Sequence, residues 1–193
     1  MSLMFKPLIY TCLFLFLVAF SFCASAADKE VVATVYGKAI YRDDVQGKNK
    51  NLEMLLILPL YKRFAADNHI VATEAEIDEV SKAMAGVSPS ATLPEQRAIM
   101  HDISRNCVLN WKISKALYNK YGGDVIFQQA NPLEPIEAER RFLEEQEKSG
   151  AFQIMDTKER TKFFAYYIQL RHPIPPSRVN YDMPWWKEAM PKQ

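Results

Sequence analysis

The placement of cysteine is the strongest constraint on what this chain can fold into. Residues 1–26, "MSLMFKPLIYTCLFLFLVAFSFCASA", read as a secretory leader: Lys6, an apolar run from Leu8 to Phe22, and Ala24-Ser25-Ala26 where a signal peptidase reads small side chains. The run is about fifteen residues, against the roughly twenty that span a bilayer. Cleavage after Ala26 is therefore expected, with an uncleaved N-terminal anchor as the alternative. Cys23 would suit lipidation only behind a small residue, and Phe22 precedes it. Cleavage removes Cys12 and Cys23 and leaves Cys107 alone. An exported chain with one cysteine has no internal disulfide, so packing must hold it.

The remainder is long enough for one real core. Lys6 is the only charge in the leader, so 24 basic residues become 23 against 23 acidic ones. That balance gives no reason to expect nucleic acid or anionic lipid as a partner, nor stable membrane insertion once the leader is gone. Few glycines and abundant Leu, Ala, Glu and Lys predict a mainly α fold with a short N-terminal strand pair. Residues 27–172 read as a single helical domain, and 173–193 as a Pro/Trp-rich tail.

"VVATV" alternates like a strand, Gly37-Lys38 reads as a tight turn, and "AIY" as the return. Arg42-Asp43-Asp44-Val45 predicts a helical turn, ended by the polar run from Gly47. Leu52, Leu55, Leu56, Leu60, Phe64 and Ala65 form a helical stripe in which Pro59 predicts a kink or restart. Thr73 and Glu76 have capping-box spacing ahead of Ile77, Val80 and Met84. Residues 86–94 read as a loop, and Pro94 opens a helix to about Tyr121 whose buried stripe is expected at Ile99, Ile103, Cys107, Leu117 and Tyr121. Gly122-Gly123 ends it. Pro135 starts a charged helix closed by Gly150, and Asp156 with Glu159 caps an aromatic-rich one. "DVIFQQ" and "AFQI" are short strand candidates, and either is a possible partner for the first strand.

The residues "VVATVYGKAIYRDDV", followed by "LLILPLYKRFAADNHIVATEAEIDEV", resemble the N-terminal domain of the SurA-type periplasmic chaperones and parvulin-associated foldases. Ala65, Ile70, Thr73, Glu76 and Ile77 fall where that family places its alanine, its Gly-Ile-x-Val-Thr turn and its Glu-Ile pair. Tyr36 stands in place of the family's Asn, and Tyr41 in place of its Thr cap. The likeness covers about residues 30–85. It implies a helical SurA-N-like domain, of the trigger factor/SurA peptide-binding type, in which the entry strand pairs with a later one and the helices cradle unfolded polypeptide. The second half lacks the glycine-rich, mixed sheet-and-helix pattern of a parvulin domain, so isomerase activity is not inherited.

The residues offer little catalytic chemistry. His69, His101 and His172 have no i, i+4 partner of a zinc-binding pair. Cys107 and His101 lie about 120° apart on a helix, poor geometry for a nucleophile and its base, and Cys107 reads as a core residue. Asp43, Asp44, Glu137, Glu139, Glu144, Glu145 and Glu147 read as solvated faces, some paired with Arg140, Arg141 or Lys148. "YGGDV" lacks phosphate-loop spacing. The aromatics are more informative. Tyr61, Phe64, Trp111 and Tyr118 are the candidate lining of a peptide-binding groove, against the alternative of ordinary core packing. Trp185 and Trp186 are expected to dock back on the domain, since two free tryptophans invite aggregation.

The expectation is thus a periplasmic or secreted chaperone-like protein that binds unfolded or extended polypeptides, outer-membrane proteins among them, without catalysis or cofactor. A diverged peptidyl-prolyl isomerase and a dedicated partner-binding subunit of an envelope complex are the alternatives. The residues do not set the oligomeric state.

Overall fold

The computed structural model describes residues 29–45, 51–85, 93–129 and 131–188. The segment read as a leader, most of the polar run after Val45 and most of the 86–94 loop lie outside them. The protein is mainly helical, with a small antiparallel strand group near its N-terminus.

Strands β1 (Val31–Val35) and β2 (Lys38–Tyr41) form a hairpin with Val35 opposite Lys38. The turn is therefore Tyr36-Gly37, one residue earlier than expected. Both residues have positive φ, 47° and 75°, the geometry that matches the twist of paired strands in a two-residue loop. Asn-Gly suits such a turn best, and Tyr36 holds it against its steric preference. Of the two candidate partners for β1, β4 (Phe152–Ile154) is the one used: Ala33 faces Ile154 and Val35 faces Phe152. The order is β2-β1-β4. The other candidate, β3 (Val125–Ile126), pairs instead with β5 (Pro173–Ile174) near the end of the chain.

Helix α1 (Arg42–Val45) begins at Tyr41, which has no capping oxygen, yet half a capping box survives because the Asp44 carboxylate accepts from the Tyr41 amide at 3.0 Å. Helix α2 (Leu52–Asp67) is capped by Asn51, whose side chain accepts from the Glu53 amide at 2.9 Å, and buries Leu56, Leu60, Phe64 and Ala65. It runs through Pro59 without restarting. Proline removes one backbone bond there, and the buried Leu56 and Leu60 on either side keep the two halves in register. Helix α3 (Glu74–Ala85) has the predicted capping box: the Glu76 carboxylate accepts from the Thr73 amide at 2.9 Å, and Thr73 Oγ1 accepts from the Glu76 amide at 3.4 Å.

Helix α4 (Pro94–Tyr121) spans the predicted length, but its buried face differs. Ile99 and Ile103 are exposed; Ser104, Val108, Trp111, Ile113, Ser114 and Leu117 are buried. The early part of α4 packs on α3, where Ser104 bonds Ser81 at 2.8 Å, and among the described residues the face carrying Ile99 and Ile103 is left exposed. Helix α5 (Ile136–Lys148), helix α6 (Thr157–Ala165), a 3-10 turn over Tyr166–Ile168, a second over Pro176–Arg178 and α7 (Trp185–Glu188) complete the chain. Asp156 caps α6, accepting from the amides of Lys158 and Glu159 at 2.7 and 3.0 Å.

Two hydrophobic clusters result. The larger joins the three-stranded sheet to α2, α5, α6 and the end of α4. The smaller joins Val80 and Ala83 of α3 to Val108 and Trp111 of α4, and is closed by Tyr181 and Trp186 from the C-terminal arm.

Candidate functional site

The four aromatics expected to line one groove fall in two places. Phe142 of α5 lies against both Tyr61 and Phe64 of α2, with ring centroids at 6.0 and 5.2 Å. Tyr181 of the arm lies against both Trp111 and Tyr118 of α4, at 5.3 and 5.2 Å. Trp186 adds an edge-to-face contact to Trp111 at 6.0 Å. Trp111 is 4% exposed, so the α3–α4 groove is filled by the chain's own arm. Phe64 borders a cavity of about 260 Å³ with Tyr36, Arg63, Asp67 and Lys120. Only Tyr61 reaches the cavity that concentrates ionisable groups.

That cavity, about 390 Å³ and open to solvent on one side, lies where α2, α4, the segment between β3 and α5, and the 3-10 turn after α6 meet. Each element contributes polar groups for a local reason. Glu53 sits in the first turn of α2, where a carboxylate complements the helix dipole. Ser114 faces inward from α4 and its hydroxyl accepts from the Asn131 side-chain amide at 2.9 Å, which anchors the start of the segment that carries Glu134. Tyr166 and Tyr167 project from the tight turn that ends α6.

The carboxylates pair with tyrosines. The Tyr166 hydroxyl lies 2.8 Å from both oxygens of Glu134, and the Gln128 amide donates to that hydroxyl at 3.3 Å. Tyr167 reaches Glu53 at 3.5 Å. The Tyr61 hydroxyl donates to Glu139. Glu139 is 6% exposed, and burial holds its carboxyl well above the usual range, with the charges of Glu134 and Glu53 adding to the shift and the Tyr61 bond opposing it. Glu134 is raised for the same first reason, burial, with Tyr166 opposing. Burial pushes the Tyr166 phenol up to about 12, and those of Tyr61 and Tyr167 well above the ordinary value.

Glu139 is therefore not on a solvated face. It lies on the buried stripe of α5 with Ile136, Phe142 and Leu143, and its i+3 spacing from Ile136 was the signal for this. Glu134 sits in a turn and had no such signal. The other acidic residues of α5 do pair outward or locally: Glu144 with Arg140 at 2.7 Å, Glu145 with Lys120 at 3.3 Å, and Glu147 with Arg160 at 2.6 Å. Among the described residues, no group of three or more His, Cys, Asp or Glu side chains is placed to hold a metal ion. Cys107 is half-buried, and burial raises its thiol pKa. No family model, curated protein or solved structure matches the chain.

Proposed function

We propose that the protein is an exported, non-catalytic polypeptide-binding module, SurA-N-like in its first half, that holds an extended segment of an unfolded client by taking one basic side chain into the tyrosine–carboxylate cavity. The observation that carries this reading is the make-up of the cavity wall. Of its eleven lining residues three are Glu and three are Tyr, and none is Lys, Arg or His. Burial first, and then the charge of neighbouring carboxylates, raises Glu134 and Glu139, and a cation in the cavity offsets both. A lysine or arginine head supplies one, gaining charge-assisted hydrogen bonds and the faces of the tyrosine rings. The side-chain amides of Asn110, Gln128 and Asn131 share the wall and offer donors to the carbonyls of an extended backbone.

This reading moves client capture away from Trp111 and Tyr118, whose faces the arm already covers, and keeps Tyr61 as a lining residue. Clients are unfolded envelope proteins, outer-membrane proteins included, and no cofactor takes part. The test uses an unstructured peptide carrying one lysine and the same peptide with norleucine, each measured by fluorescence anisotropy, alongside aggregation of a urea-unfolded outer-membrane protein. The lysine peptide is expected to bind at least about tenfold tighter, the protein to suppress aggregation near stoichiometry, and Glu134→Gln to narrow the difference between peptides. Equal binding of the two peptides, or none by a folded preparation, would sink the proposal.

A further inference from the structure

Glu134 enters the cavity from a connector with no regular structure, so something else must hold it. Its backbone exchanges two hydrogen bonds with Ile126, at 3.0 and 2.9 Å. Ile126 belongs to β3, whose pairing partner is β5 of the C-terminal arm, and the Phe127 amide bonds the His172 carbonyl at 2.9 Å. One residue before Glu134, the Leu133 carbonyl accepts from the Tyr181 hydroxyl at 2.8 Å. Beside the Asn131–Ser114 bond and the Tyr166 contact, these two restraints on the Glu134 wall trace to residues 172–181.

The arm itself is tied down differently. Among the described residues, the backbone–backbone bonds after Ile174 are local to the arm, such as Val179 to Pro176 and Lys187 to Pro184. Side chains dock it. The Tyr181 ring, 7% exposed, lies against Trp111 and Tyr118; the Trp186 indole N–H reaches Glu79 at 3.3 Å; Asp182 pairs with Lys115 at 2.7 Å. The rings fix where the Tyr181 hydroxyl points before it meets the carbonyl.

We infer that Tyr181 is a positioning residue for the cavity: its ring is seated by α4, and its hydroxyl sets the connector that aims Glu134 at the ligand. The inference rests on the cavity being the binding site, and it makes the arm part of that site. A binding module whose wall is held this way responds to whatever lifts the arm, because undocking breaks no backbone bond beyond β5.

Tyr181→Phe in the full chain removes the hydroxyl and keeps the ring. Hydrogen exchange of the Ile126 and Glu134 amides should quicken about fivefold, the equivalent of one lost hydrogen bond, while core amides in α2 and α5 keep their rates. Affinity for the lysine peptide should fall by a similar factor. Lys162→Gln, which removes an exposed ion pair with Glu159 on α6 and touches neither the arm nor the cavity wall, should leave both readouts unchanged. Unaltered exchange at Ile126 and Glu134, or faster exchange spread evenly over the core, overturns the positioning role. If the wild-type protein binds no peptide, the proposed function fails by itself, and the exchange result still decides for or against Tyr181.

Discussion

Replacing Trp186 with alanine asks whether the C-terminal arm is part of the core or an accessory to it. The side chain is 1% exposed, makes edge-to-face contacts with Trp111 at 6.0 Å and Trp185 at 5.7 Å, and its indole N–H reaches Glu79. Burying a ring of about 150–250 Å² is worth about 4–6 kcal/mol at 25 cal/mol/Å², and each aromatic pair about 0.5–1.5 kcal/mol more. Two effects work against the full loss. Among the described residues the backbone bonds after Ile174 are local to the arm, so it can peel away without leaving a rigid cavity, and each freed residue regains about 1–2 kcal/mol of backbone entropy. Peeling in turn exposes Trp111 and the Tyr181 ring. The balance is an expected loss of about 3 kcal/mol, inside the range for truncating a buried aromatic. Urea unfolding followed by fluorescence of Trp111 and Trp185 measures it, and a red shift in native emission reports the uncovering of Trp111. A loss under about 0.5 kcal/mol with unchanged emission would refute the reasoning, because it would mean that the arm does not close the α3–α4 cluster.

Glu139→Gln tests the buried carboxyl through pH. The folded state holds Glu139 protonated above the pH at which the unfolded chain ionises, through burial and then the charges of Glu134 and Glu53, so the wild-type protein loses stability as pH rises past the unfolded value of about 4.3. The amide cannot ionise and still accepts from Tyr61. The variant should therefore match the wild type near pH 4 and gain on it steadily toward pH 8 in urea titrations, and a gap that stays constant or reverses contradicts the assignment. Gly123→Ala tests the turn after α4: φ there is +94°, and an added Cβ would lie 2.6 Å from Glu137 Cδ and 2.9 Å from Glu137 Cβ. Backbone strain alone predicts a loss of about 1–3 kcal/mol, and displacing Glu137 also breaks its bond from the Asp124 amide at 3.0 Å; an unchanged melting temperature would show that the turn adjusts freely.

Cys107 is free among the described residues, as expected of a fold held by packing, and the periodicities located the helices. The Thr73/Glu76 box and the Asp156 cap were legible because a cap is satisfied within four residues of the chain; at Asp156 the reciprocal half is not made, and Glu159 pairs with Lys162 instead. The Tyr36-Gly37 turn was legible to within one residue. Glu139 was misread as part of a solvated face because of its neighbouring carboxylates, although its place on the Ile136–Phe142 stripe puts it in the core. Ile99 and Ile103 show the limit of that argument: a helical stripe says which residues share a face, and not whether another element covers it.

What only the tertiary structure decided lies in contacts between segments far apart in the chain. "DVIFQQ" and "AFQI" were equivalent as partners of β1, and the choice of Phe152–Ile154 left Val125–Ile126 to pair with the arm. Trp111 and Tyr118 carry no sign in their own neighbourhood that Tyr181 and Trp186 will cover them. The cavity draws Glu53, Tyr61, Glu134, Glu139, Tyr166 and Tyr167 from separate elements. Local structure follows from hydrogen bonds and side-chain spacing within a turn or two, which the chain spells out directly. Which distant surface fills a given volume depends on the packing of every element at once, and that is where this protein's candidate site is made.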